Sequence, residues 1–258
     1  MQAHSAGTKD KEKNAAASGG RIRSRIWEID FLRGLSIILM VFYHAGYDLN
    51  EFCGIKTLAG ISIDVSGPGL SVAQLFFAGL FILLSGISST LSRSNVRRAL
   101  RLLAVALVVT AVTYVFDASQ PIHFGILHSL GTSILIYGLT MEKYGPRACA
   151  AAAAAVLGLS VALSFFSGRV QVDFDWLLPF GIHSNAYASV DYFPLLPWLS
   201  VFMAGAALGK SAYGRKTSLL PRPLAETFVN TAGRHSLLIY IIHQPIILAV
   251  LHVSGLMG

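Results

Sequence analysis

The sequence predicts an all-α fold: a polytopic transmembrane helical bundle of about seven spans with its N-terminus in the cytoplasm. Composition is the first reason. Of 258 residues, 54% are hydrophobic and only 13% charged, more apolar surface than one soluble core of this length would bury. The second is window length. Runs of about 19 apolar residues, enough to cross a hydrocarbon core, fall at 29–49, 70–90, 98–116, 123–141, 148–166, 194–210 and 235–253. The third is charge, because Lys and Arg collect in alternate connections.

Taken in order, residues 1–25 are polar and Ala/Gly/Ser-rich and read as a disordered cytoplasmic tail; residues 26–258 form the membrane domain. The tail is not a signal peptide, since the apolar run after it is too long and lacks a small-residue cleavage site. Inner connections carry Arg21, Arg23 and Arg25, then Arg93, Arg97, Arg98 and Arg101, then Lys143 and Arg147, then Lys210, Arg215, Lys216, Arg222 and Arg234. Outer connections carry Lys56 and Arg169. An odd number of spans then leaves the C-terminus outside. The net charge of +7 is this inner-face bias, with an attraction to anionic lipid, and implies no nucleic-acid partner. Cys53 and Cys149 fall on opposite faces, which excludes a disulfide between them, and no pair has metal-ligand spacing.

Two connections are long. The outer 167–193 segment is acidic and aromatic; the inner 211–234 segment is basic, and AETFVNTAGR within it suits either a surface helix or a loop.

Ionisable side chains inside spans are costly and mark sites or pathways. In 30-DFLRGLSIILMVFYHAGYD-48, Arg33 and His44 stand eleven residues apart, three turns and roughly 16 Å along one helix face. Asp48, four residues beyond His44, shares that face, so its carboxylate is expected to accept the imidazole N–H and prepare His44 as a general base. The plainer alternative has Arg33 snorkelling to inner headgroups and Asp48 ending the helix in water. His128 opens the fourth span and His243 lies in the seventh, two residues before Pro245; each suits a site or a helix–helix hydrogen bond. Asp173, Asp175, Trp176 and Asp191 in the outer loop combine carboxylates for sugar hydroxyls with an aromatic face for a pyranose ring. For the tryptophan, an interfacial aromatic belt is the competing reading. Arg97 and Arg101, one turn apart on the inner face, are placed to grip phosphates, although the positive-inside bias accounts for such charges too.

These residues carry a resemblance. RIWEIDFLRGLSIILMVFYHAGYDL, FFAGLFILLSGISS, FGILHSLG, DYFPLLPWLSVFMAGAALG and GRHSLLIYIIHQP, in that order over about residues 25–250, resemble short bacterial membrane proteins similar to the catalytic domain of heparan-α-glucosaminide N-acetyltransferase. The Arg33 and His44 spacing and the FILLSG run are also similar to the first- and second-helix motifs of the acyltransferase-three family.

The resemblance implies a multi-pass acyltransferase of the bacterial inner membrane that takes acetyl, or a similar short acyl group, from cytoplasmic acyl-CoA to a carbohydrate on the outer face. Acetyl-CoA would be a co-substrate, with no tightly bound cofactor and no metal. Partners would be the acyl-CoA, the glycan and the bilayer, and the chain's shortness relative to fuller members fits either a minimal version or a homo-oligomer. On this reading His44, Asp48 and His128 are catalytic; Arg33, Arg97, Arg101 and His243 hold the donor; Asp173, Asp175, Trp176 and Asp191 hold the acceptor. His44 would either deprotonate the acceptor or carry the acyl group transiently. The alternative is a proton-coupled small-molecule transporter with His44, Asp48, His128 and His243 as a relay, which would place polar residues through the full depth of several helices. A retinal photoreceptor is excluded because the seventh span has no lysine.

Overall fold

The computed structural model describes residues 26–58, 60–63, 68–167, 172–220 and 227–256. The expected disordered tail, 1–25, lies outside them, as do Arg169 and Arg222. The described elements are α1 (Trp27–Glu51), a two-residue antiparallel ladder of β1 (Thr57–Leu58) and β2 (Ile61–Ser62), α2 (Pro68–Leu91), α3 (Asn95–Phe116), α4 (Ile126–Ile136), α5 (Pro146–Ser167), α6 (Leu195–Ala212), α7 (Phe228–Arg234) and α8 (Ser236–Val253). A π-helical turn, Tyr137–Met141, extends α4, and a short 3-10 turn, Leu178–Phe180, lies in the outer loop.

Among the described residues, six helices are long and apolar enough to cross a membrane: α1, α2, α3, α5, α6 and α8. The seventh expected span corresponds to a shorter apolar helix, Ile126–Met141. At 1.5 Å per residue it is about 24 Å long, less than a full hydrocarbon core. It nevertheless runs antiparallel to α3 for most of that helix's length. His128 meets Thr110 near the end of α3, Gly131 packs on Leu103, and Gly138 packs on Asn95 at its start. Polar residues before His128 and after Met141 therefore trim this span without removing it from the bundle.

Packing centres on α2 and α6, which approach until backbones touch. A Cβ on Gly86 would lie 2.1 Å from the Phe202 carbonyl oxygen, and one on Gly205 would lie 2.1 Å from that of Leu83. Small residues permit such contact where lipid supplies no hydrophobic drive between helices. Ile82, Ile134, Tyr137, Phe202 and Met203 fill the main core around this seam, and Ile29, Leu84, Ile87 and Tyr213 fill a smaller one at the start of α1. Outward faces remain apolar: only 6% of the α5 span and 11% of the α3 span are buried. These two helices are the lipid-facing wall of a multi-pass membrane protein.

α7 folds back on α1, and α8 then runs parallel to α1, so that the two rows rise together from the Gly34–Gly233 contact to the His44–His243 pair. The inner 211–234 segment thus includes a short helix, capped by Thr227, whose Oγ1 accepts from the Asn230 N–H. Arg33, Arg98, Lys210 and Arg234 gather at one end of the bundle. There Lys210 donates to the carbonyls of Glu142 (2.7 Å) and Tyr144 (2.6 Å), tying α6 to the end of α4.

Candidate active site

Three turns along α1 from Arg33, α1 and α8 bring two imidazoles together. The rings of His44 and His243 lie 5.0 Å apart, centre to centre. His44 is half-buried beside Tyr43, whose hydroxyl donates to Gln74 at 3.0 Å. His243 is buried behind it, with Nδ1 2.6 Å from the Tyr240 carbonyl oxygen. A carbonyl can only accept, so Nδ1 carries the proton and Nε2 keeps its lone pair. That nitrogen is buried and has no hydrogen-bond partner among the described residues. An imidazole held in one tautomer with a bare nitrogen is what a proton acceptor requires.

The expected His44–Asp48 pair is corrected by this arrangement. Asp48 is 1% exposed, and its Oδ2 accepts from Gln244 Nε2 at 2.8 Å. No hydrogen bond joins it to His44 among the described residues. A carboxylate this buried needs a strong donor, and the amide across the α1–α8 seam supplies one. Asp48 thereby fixes α8 against α1 one residue beyond His243. The two residues do share a stripe with Arg33, as the helical spacing requires, but the imidazole's neighbour is on another helix.

His128 is drawn elsewhere. Its Nδ1 accepts from the Gly125 N–H at 3.3 Å, which leaves the proton on Nε2, 3.2 Å from Thr110 Oγ1. The Thr110 hydroxyl in turn donates to the Ile122 carbonyl at 2.6 Å. Both ring nitrogens are therefore engaged in joining the start of α4 to α3, and His128 is not brought to the histidine pair.

Asp191, in the loop before α6, is turned inward. Its Oδ2 accepts from Tyr240 Oη (2.9 Å) and from the Ile126 N–H at the start of α4 (3.1 Å). Tyr240 also supplies the carbonyl that holds His243, so Asp191 steadies the pair from behind. Burial keeps its carboxyl above the ordinary carboxylate range, although both hydrogen bonds pull the other way. Because the folded value is raised, this group stabilises the fold fully below about pH 3.9, the unfolded value, and loses that contribution as pH climbs through the folded value. The melting temperature of the wild type should therefore fall relative to that of Asp191→Asn as pH rises from about 4 to 7. Parallel curves would deny the carboxyl its buried, titrating state.

Asp173, Asp175 and Trp176, the other predicted outer-loop residues, are exposed. Trp176 stacks on Phe174 with ring centres 4.9 Å apart, and Asp173 and Asp175 flank them. Asp175 Oδ1 accepts from the Ser184 N–H at 2.8 Å, which holds its carboxyl below the ordinary range. His183, Tyr187 and Tyr192 pack edge-on or tilted at 5.2–5.3 Å beside them. This surface offers open carboxylates and aromatic faces, whereas Asp191 does not.

At the other end, Arg33 donates to Asp30 Oδ1 at 3.2 Å and to Ser88 Oγ. Arg98 turns inward and reaches Ser85 Oγ and Ser89 Oγ, each at 3.3 Å. Arg97 and Arg101 are exposed. The one-turn spacing singles out the exposed pair and not the inward arginine, yet the sequence carries a signal for Arg98. Asn95, Ala99 and Ala106 form the buried face of α3, and Arg98 adjoins that face. Tyr240 and Gln244 were likewise missed, since nothing in an apolar helix marks which polar residue will meet Asp191 or Asp48. Among the described residues, no group of His, Cys, Asp and Glu is arranged to hold a metal ion.

A family model described as heparan-alpha-glucosaminide N-acetyltransferase, catalytic, matches residues 25–245. No curated protein matches the chain significantly, and no solved structure does.

Proposed function

Because the chain belongs to the heparan-alpha-glucosaminide N-acetyltransferase catalytic-domain family, a family of membrane acetyltransferases, we propose that it carries acetyl from acyl-CoA at its arginine end to a carbohydrate at its histidine end. The observation that carries this reading is the His44–His243 pair, set on the same helix row as Arg33 and three turns from it. Roughly 16 Å of helix separates Arg33 from His44, a span comparable with the pantetheine arm of CoA.

In the proposed reaction the acceptor's hydroxyl or amine lies against half-buried His44, and Asp173, Asp175 and Trp176 hold its sugar. His44 takes the proton as the oxygen or nitrogen attacks the thioester carbonyl. The carbon–sulfur bond breaks, CoA leaves as thiolate, and the proton returns to it through the pair. His243, fixed by Tyr240 with Nε2 bare, provides a second acceptor beside His44 within the same dry site. On this reading the N-terminus and the arginine end face the cytoplasm.

The transporter reading has no family match behind it, whereas the transferase reading does. To test the transferase reading, purified protein in detergent is given labelled acetyl-CoA with glucosamine as probe acceptor. CoA thiol release and label transfer are then followed. Turnover above a heat-denatured control is expected; a folded sample that neither binds CoA nor releases thiol would remove the proposal.

A further inference from the structure

Two acceptors on consecutive residues of α8 are buried with nothing to accept. One is His243 Nε2 and the other is Gln244 Oε1; neither has a hydrogen-bond partner among the described residues. Both side chains are drawn to one stripe of α1. The His243 ring lies beside His44, and Gln244 Nε2 donates to Asp48 Oδ2 at 2.8 Å, one turn further on. Their α1 partners, four residues apart, stand roughly 6 Å from each other. The two bare atoms therefore belong to one short seam.

Chemistry fixes which end of the amide is bare. A carboxylate accepts and cannot donate, so Gln244 turns its nitrogen to Asp48 and the carbonyl oxygen is left over. Burying that oxygen unpaired is costly, and an apolar side chain of the same length would avoid the cost. The Asp48 carboxylate, 1% exposed, makes the seam richer still in acceptors. What belongs there must bring donors. A carboxylate or phosphate would set oxygen against oxygen. A lone reacting group engages the histidine pair and leaves the amide oxygen bare. Both bare atoms are answered by two adjacent O–H or N–H donors on one molecule, a vicinal diol or amino alcohol, the pattern that recurs around a pyranose ring.

We propose that Gln244 determines which acceptors react: its Oε1 takes a hydrogen bond from a hydroxyl vicinal to the acylated atom, and Asp48 is the positioning residue that keeps the amide turned that way. That the neighbouring group is acylated rests on the acetyltransferase reading; the selection of paired donors does not. With the reacting atom against His44 and a second point of the ring held one turn away, the ring cannot rotate about its reacting bond. An acceptor that lacks the neighbouring hydroxyl loses this contact and leaves Oε1 buried and unpaired.

The test uses the full chain in detergent and two acceptors that differ only in the vicinal hydroxyl, trans-2-aminocyclohexanol and cyclohexylamine. Their kcat/KM ratio with acetyl-CoA, and their ratio of affinities by calorimetry, are measured for wild type, Gln244→Met and the exchanged pair Asp48→Asn/Gln244→Glu. The exchange keeps one amide, one carboxylate and one bare acceptor across the seam. Monodispersity and melting temperature show that each variant is folded. If Gln244→Met does not fold because it strands the Asp48 carboxylate, Asp48→Asn/Gln244→Met takes its place. Wild type should prefer the amino alcohol about tenfold or more, as a site built to hydrogen-bond a hydroxyl implies. Gln244→Met should bring both ratios close to one, and the exchanged pair should restore much of the preference. A packing defect alone would lower both acceptors alike and leave the ratios standing. Equal ratios in wild type and Gln244→Met, or no preference in wild type, overturn the proposal and leave Oε1 to a structural water only. If the affinity ratio depends on Gln244 but no acetyl moves to either acceptor or to glucosamine, the paired-donor site stands and the transferase reading falls.

Discussion

Replacing His44 by alanine should reduce acetyl transfer by about 10²- to 10⁴-fold, the usual contribution of a positioned general base, while CoA affinity stays within about threefold. The second half of that expectation follows from geometry, because Arg33 lies three turns away on the same helix. His243→Ala should lose activity as well, since His243 backs the same proton transfer. The double variant should lose little more than the worse single one, the behaviour of residues that act as a unit. Pre-steady-state thiol release with labelled acetyl-CoA measures all three. Full turnover in His44→Ala would remove His44 from the chemistry; additive losses would separate the two histidines into independent roles.

A second large effect concerns Gly34 and Gly233, where α1 and α7 touch. A Cβ on Gly34 would lie 1.8 Å from the Val229 carbonyl oxygen, and one on Gly233 would lie 1.8 Å from that of Asp30. Both obstacles are backbone, so no rotamer change relieves them. Gly34→Ala or Gly233→Ala should each cost about 3 kcal/mol or more, the upper end of overpacking penalties. Gly158→Ala, on the lipid-facing α5 with nothing within 4 Å of a new Cβ, should be neutral or slightly stabilising. Thermal melting followed by size-exclusion chromatography distinguishes them. The cost reaches the site, because α7 leads directly into α8, which carries His243. Partial survivors of Gly34→Ala should therefore lose activity out of proportion to their folded fraction. A Gly34→Ala variant as stable as wild type would mean that the α1–α7 contact is not the one described.

Much of the bundle was legible from composition, window length and charge, because lipid demands long apolar helices and leaves Lys and Arg at one end. The span count was less so. Ile126–Met141 reads as a full crossing when flanking polar residues are averaged in, and is shorter in the fold. Arg33, His44 and Asp48 could be set on one face because helical geometry alone fixes that. Their partners could not. Gln244 takes Asp48 and His243 takes the place beside His44, and both sit on a helix almost two hundred residues away in sequence. His243 was visible as a costly residue and read with the donor-binding residues, whereas the fold sets its ring beside His44. Asp191 carried an acidic-loop signature and was read with its exposed neighbours; only the fold shows it turning inward to Tyr240. Arg98 differed from Arg97 by one residue, or about 100° of helix, which the neighbouring buried Asn95 and Ala99 would have resolved.

The central claim is that donor and acceptor meet from opposite sides of the membrane, and sided reconstitution tests it most directly. Proteoliposomes loaded with glucosamine receive labelled acetyl-CoA outside only, with protease protection of the N-terminal tail reporting the orientation of each population. Labelled N-acetylglucosamine should accumulate inside vesicles whose arginine end faces out, and should be absent with His44→Ala. Product formed only when acetyl-CoA and glucosamine share one side would contradict transfer across the membrane.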